Sequence, residues 1–233
     1  MTDNKENMPL SAADETPVSE TPVNEINGTP ASTEPVADPA AAQNAAVAEK
    51  LAKLFRRAGS ARTNIMLVIV LTVLNITLLF VGTDTYFLFS ASLPYYFTFF
   101  MLLYTGNMSE SIIDYAANGW TEADFLPNAF LWAALIFSLI VLALYAVCFF
   151  ASRSKNKLED GSVSYSFSGG WIVTAMVLFF IDTLAYMGGM ILLFGFDASM
   201  LLDLGIHILV MVELIMGAVA AFKLKRAEDA QIR

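Results

Sequence analysis

Four unbroken apolar segments, each close to or above the ~20 residues that a helix needs to cross a bilayer, constrain this chain more than any other feature. They run over about 64–82, 127–151, 171–195 and 200–222. Pro127 opens the second, where its missing N–H costs a helix nothing. The last two are separated only by Phe196-Asp197-Ala198-Ser199, so they form an antiparallel hairpin. A chain of this pattern is an all-α membrane helical bundle, and its first partner is the lipid bilayer.

A fifth segment, about 86–105, is uncharged and has the length of a span, yet it carries Pro94 at its centre and many aromatic residues. Charge decides how to read it. Lys and Arg beside membrane helices stay on the cytoplasmic side. If 86–105 does not cross, all 13 Lys and Arg fall on one side: Lys5, Lys50, Lys53, Arg56, Arg57 and Arg62; then Arg153, Lys155 and Lys157; then Lys223, Lys225, Arg226 and Arg233. If it does cross, they divide almost evenly and the rule carries no signal. Residues 106–126 hold Glu110, Asp114, Glu122 and Asp124 with no basic residue, the profile of an outside loop. The expectation is four spans, both termini cytoplasmic, and 86–105 a re-entrant or interfacial element on the outer side. Non-helical backbone at that depth is tolerated only when protein or a wet cavity covers it.

Outside the spans the chain is polar. Residues 1–49 hold six prolines and nine of the 22 acids, which accounts for much of the net charge of −9. Too little apolar surface exists there to offset the cost of ordering. The stretch reads as a disordered cytoplasmic tail, either a solubilising leader or a docking tail for a protein partner. Residues 50–63 place Leu51, Leu54 and Phe55 at helical spacing among Lys50, Lys53, Arg56 and Arg57, which suits a basic juxtamembrane helix. Residues 223–233 form the cytoplasmic end.

Several functions are disfavoured. An acidic chain repels nucleic-acid phosphates. One cysteine, Cys148, makes neither an internal disulfide nor a Cys-based zinc site. The sequence lacks a Walker loop, a His-Glu-x-x-His pair, a nucleophile elbow and a dinucleotide fingerprint. The reading is therefore a protein that is not an enzyme and has no cofactor or bound metal.

Ionisable residues inside the apolar segments are costly, so each is a functional candidate. In a hairpin turning near 197–198, residues whose numbers sum to about 395 lie at equal depth. Asp182 and Glu213 meet that condition, with Asn75 and Ser138 near the same level. A facing Asp/Glu pair would share a proton and serve a proton or cation pathway, or else it would hydrogen-bond the helices together with Asn75. His207 lies nearly two turns further outward, one turn from Asp203, and about 120° around the helix from Glu213. Small residues at four-residue spacing, Ala185 with Gly189 and Gly217 with Ala221, mark close helix contacts. These join helices within the chain or, in a homo-oligomer, between copies.

The strings Asp84-Thr85-Tyr86-Phe87-Leu88-Phe89-Ser90, Pro94-Tyr95, Ile181-Asp182-Thr183 and Phe222-Lys223-Leu224-Lys225 give residues 64–226 a further character. This body resembles an uncharacterised family of small multi-pass integral membrane proteins of Gram-positive bacteria. The resemblance implies a bacterial plasma-membrane location and carries no catalytic activity with it. Two roles follow for the chain: a non-enzymatic accessory or interaction protein, or a small proton- or cation-coupled transporter.

Overall fold

A computed structural model describes residues 39–83, 85–157 and 163–231. The chain divides at Pro39 into two units. The first lies outside the described residues except for Pro39, and so does most of the tail expected over 1–49.

Helix α1 runs from Pro39 to Val81 as one continuous helix of 43 residues. Pro39 occupies a helix start, where proline is favoured, and the Ala-rich stretch that follows has high helix propensity. Residues 39–49 are therefore helical and not part of a disordered tail. The basic stretch 50–63 is helical, as expected of a juxtamembrane helix, and belongs to the same helix. With no Pro to break it, it extends the first span directly.

Three more helices are long and apolar enough to cross a membrane: α3 (Ala129–Ala151), α4 (Gly169–Phe194) and α5 (Ser199–Gln231). The outward faces of the four long helices carry large apolar side chains in bulk, among them Val81 of α1, Phe150 of α3 and Leu192 of α4. So much exposed apolar surface is stable only against lipid. The protein is a four-span helical membrane bundle.

Helix α2 (Ser92–Tyr104) has 13 residues. At 1.5 Å per residue it is about 20 Å long, short of the ~30 Å hydrocarbon core. Its amide start lies deep in the bundle: the Ala91 N–H donates to the Thr72 hydroxyl of α1 at 2.7 Å. Thr72 stands nine residues before the end of α1, about 14 Å below that end. The chain thus leaves α1, turns back into the bundle, and climbs out along α2 on the side it entered. This is the re-entrant element, with the helical part beginning at Ser92 instead of at 86.

The segment between α2 and α3 closes over this end of the bundle. The Tyr115 hydroxyl donates to the carbonyls of Leu103 and Leu102 at 3.0 and 3.3 Å. A short 3-10 turn, Glu122–Asp124, precedes α3. We call this the acidic end.

At the opposite, basic end stands an element the helical pattern did not announce. Strands β1 (Arg153–Lys157) and β2 (Val163–Phe167) form an antiparallel hairpin in which Arg153 pairs with Phe167 and Lys157 with Val163. Phe167 packs edge-on against Phe55 of α1 with ring centroids 4.8 Å apart. Just inside this end the Arg62 Nε donates to the Phe149 carbonyl at 3.1 Å, with its guanidinium 3.9 Å above the Phe149 ring. Every Lys and Arg among the described residues belongs to this end.

Candidate functional site

The buried residues of each long helix fall on a stripe with alternating spacings of three and four, the packing seam of antiparallel bundles. On α1 it reads Ala58, Ala61, Ile65, Val68, Thr72, Asn75, Leu79. On α5 it reads Met200, Asp203, His207, Val210, Leu214, Gly217, Ala221. On α4 it carries Phe179, Asp182 and Tyr186, and on α3 Ala134, Ser138 and Tyr145. Asn75, Ser138, Asp182, Asp203 and His207 are thus seam residues and converge on the bundle interior.

They converge on the re-entrant backbone. A helix leaves its first four N–H groups without internal partners, and in a membrane each one left bare costs several kcal/mol. All four positions at the start of α2 are accounted for. Ala91 donates to Thr72. Ser92 and Leu93 donate to the two carboxylate oxygens of Asp182, each at 2.9 Å. Pro94 has no N–H to satisfy. A carboxylate accepts two N–H bonds without itself needing a donor, and the positive end of the α2 dipole favours it there. One turn earlier the Asn75 amide reads the backbone of Phe87 on both edges. Its Nδ2 donates to the Phe87 carbonyl and its Oδ1 accepts the Phe87 N–H, both at 2.9 Å, and Nδ2 also donates to Ser90 at 2.8 Å. Ser138 donates to the Pro94 carbonyl at 3.1 Å. The polar residues of three helices, α1, α3 and α4, are occupied by the peptide groups of residues 87–94.

His207 closes the cluster from α5. Its ring stacks on Phe179 at 5.0 Å. Nε2 lies 3.1 Å from the Ser92 hydroxyl and 4.0 Å from an Asp182 oxygen. Nδ1 lies 2.9 Å from the backbone carbonyl of Asp203, one turn earlier, and 3.3 Å from Asp203 Oδ1. That second approach lacks the alignment of a hydrogen bond, so both Asp203 carboxylate oxygens are buried without one. The Ser92 hydroxyl also pairs with the Tyr86 hydroxyl at 2.8 Å.

Ser92, His207 and Asp203 therefore stand in the order hydroxyl, imidazole, carboxylate, the order used in nucleophilic hydrolases. Ser92 is completely buried, and the backbone N–H groups beside its hydroxyl, its own and that of Leu93, already donate to Asp182.

Of the residues singled out in the sequence, Asp182, Asn75 and His207 meet in this cluster. Glu213 does not join it. It is half-buried on the flank of the α5 seam, and among the described residues it has no hydrogen bond or ion pair with Asp182. The residue-number sum misses in height as well as in rotation: His207, nearly two turns outward of Glu213, is the α5 residue level with Asp182, between Phe179 and Tyr186. Gly217 and Ala221 lie at a tight crossing of α5 and α1, where a Cβ on Gly217 would overlap the Cβ of Ala61. Ala185 and Gly189 make no such crossing. Ala185 is exposed and nothing lies within 4 Å of a Cβ built on Gly189. Both instead border an apolar cleft of about 170 Å³ between α2 and α4. Thr72 and Ser92 were not singled out by sequence, although the seam spacing reaches Thr72; Asp203 enters as the partner of His207 that its place one turn away suggests. Among the described residues no group of three His, Cys, Asp or Glu side chains is arranged to hold a metal ion.

No protein-family model, curated protein or solved structure matches this sequence.

Proposed function

We propose that this is a non-enzymatic accessory or interaction protein of a bacterial plasma membrane, with both termini in the cytoplasm. The observation that carries the reading is the use made of the intramembrane polar groups. Asn75, Thr72, Asp182 and Ser138 are spent on the peptide groups of residues 87–94, which leaves them as a lock on a re-entrant turn, with little capacity to bind a substrate. A bundle locked in this way presents two surfaces to partners, the closed acidic end and the basic end. The orientation rests on the basic residues gathered at one end, and the bacterial membrane on the resemblance described above. Affinity capture of the full chain and of a form without residues 1–38 tests the docking role. Loss of specific partners from the shortened form is expected; recovery of the same partners would remove the tail from the proposal.

One observation favours a second reading, a proton- or cation-coupled carrier. The Asp203 carboxylate is buried without a hydrogen bond beside His207, and ionisable groups so placed mark ion paths in many membrane proteins. Reconstitution into vesicles holding a pH-sensitive dye separates the two. The accessory reading expects identical traces with and without protein; a flux abolished by Asp203→Asn would replace it with the carrier.

A further inference from the structure

At the basic end, one face of α1 and the start of the polar part of α5 enclose an open cavity of about 340 Å³ lined by Lys50, Lys53, Leu54, Arg57 and Lys223. The α1 residues have helical spacings of three, four and seven, so they project from one side of the helix. Lys223 faces them because the helices are antiparallel and cross tightly: a Cβ on Gly217 would overlap Ala61 and lie 3.3 Å from the Arg57 carbonyl. Six residues beyond Gly217, about 9 Å along the axis, Lys223 comes level with Lys53 and Leu54. Among the described residues no carboxylate lines the cavity. Glu228 borders a separate cleft with Leu51, Ala52 and Phe55.

The height of this cavity limits what can occupy it. Phe222 is the last residue of the apolar part of α5 and Lys223 follows it directly. The cavity therefore straddles the level where hydrocarbon ends, extending about 10 Å from Arg57 to Lys50 into a headgroup layer that is roughly 5–8 Å deep on each side. We infer that it is a binding site for the phosphodiester headgroup of an anionic membrane lipid, with Arg57 and the three lysines around the phosphate and Leu54 against the upper part of the acyl chains. Arg is suited to hold a phosphate through two parallel N–H bonds, with Lys supplying point charge. Basic pockets between helices at this level take such lipids. Four cations from two elements around one concavity mark a site more specific than the scattered charge that orients a membrane protein. The inference does not depend on the proposed function.

The test is native mass spectrometry of the full chain in detergent with added phosphatidylglycerol or, separately, phosphatidylethanolamine. Retained phosphatidylglycerol adducts are expected on the wild type, with few from the neutral-headgroup lipid. Each Lys or Arg near such a surface is worth about 1 kcal/mol, so Lys53→Gln with Arg57→Gln should weaken retention on the order of thirtyfold. Lys225→Gln with Arg226→Gln removes the same charge from elsewhere on α5 and should leave retention within about threefold of wild type. Equal losses in both double variants would reduce the effect to general surface charge and overturn the site. Glycerol 3-phosphate replaces the lipid in a third arm. Adducts formed as readily with it would assign the cavity to a soluble phosphoester and overturn the lipid. Wild type without phosphatidylglycerol adducts would overturn both. Thermal unfolding of each variant, unchanged for these exposed side chains, establishes that the losses are not losses of fold.

Discussion

Asp182 caps a helix that begins 90 residues earlier: its carboxylate accepts the N–H of Ser92 at 2.9 Å, and its other oxygen accepts Leu93 at the same distance. A residue of α4 thereby does what a local Ser or Asp does at most helix starts. Removing it should be costly. Asp182→Ala strands two buried N–H groups, each worth about 1–3 kcal/mol, while Asp182→Asn keeps an acceptor for one. Thermal unfolding in detergent should rank wild type above Asn and Asn above Ala, with Ala lower by roughly 2–6 kcal/mol. Equal stability of Ala and wild type would mean that α2 is not held from α4.

The contact between α1 and α5 is as specific in shape as the cap is in charge. Gly217 meets Ala61 so closely that any Cβ overlaps. Gly217→Val should destabilise by about 1–3 kcal/mol through overpacking. Ala61→Gly alone loses little contact but frees the space. The double variant Ala61→Gly, Gly217→Ala should recover most of the loss seen in Gly217→Ala. A double-mutant cycle on unfolding free energies measures this, and additive effects would place the close approach elsewhere.

These two relationships bracket what the sequence makes legible. Length and hydropathy identify four spans because a bilayer admits few alternatives. Pro94 and the distribution of basic residues separate the re-entrant segment from a fifth span. The partner of Asp182 was less accessible. Summing residue numbers across the hairpin gives depth, which points to Glu213, whereas the three-four seam gives rotation, and Asp203, His207, Val210 and Leu214 lie on it while Glu213 does not. Applying the seam as well would have ruled Glu213 out, while the height of His207 depends on where the α4–α5 connection turns. That the acceptors face backbone and not each other was beyond pattern reading, since it depends on where a non-helical turn passes. The β-hairpin had a signal: Val163-Ser164-Tyr165-Ser166-Phe167 alternates with period two, as a half-buried strand does. In Ala185 and Gly189 the small-residue pattern is present but the partner helix is not, because such spacing permits close approach without requiring it.

Orientation has a direct measurement. Cysteine placed at Asn107, beyond α2, or at Asn156, in the hairpin after α3, should be labelled by an impermeant maleimide from opposite sides of the membrane. Cys148 is buried and should contribute little background. Labelling of both from the same side would require an even number of crossings between them and would mean that α3, the long apolar helix between the two positions, does not span the membrane.

The acidic end should respond to pH through Asp124. Its carboxylate accepts the backbone N–H and the hydroxyl of Thr121, each at 2.8 Å, and these bonds, the backbone one first, hold its pKa below the ordinary aspartate range. A carboxyl depressed by folding stabilises the folded form above its unfolded pKa, and that contribution disappears as pH falls through the lower, folded value. The Thr121–Asp124 turn should therefore be intact at neutral pH and loosen only below about pH 4. Trp120 reports it, since its ring lies 5.7 Å from Phe125 and 5.9 Å from Tyr104. With Trp132 and Trp171 replaced by Phe, the emission of Trp120 should be flat from pH 8 to about pH 5 and then shift to the red. Asp124→Asn should show the shifted spectrum at every pH. A titration that is unchanged in Asp124→Asn would mean that some other group governs the turn.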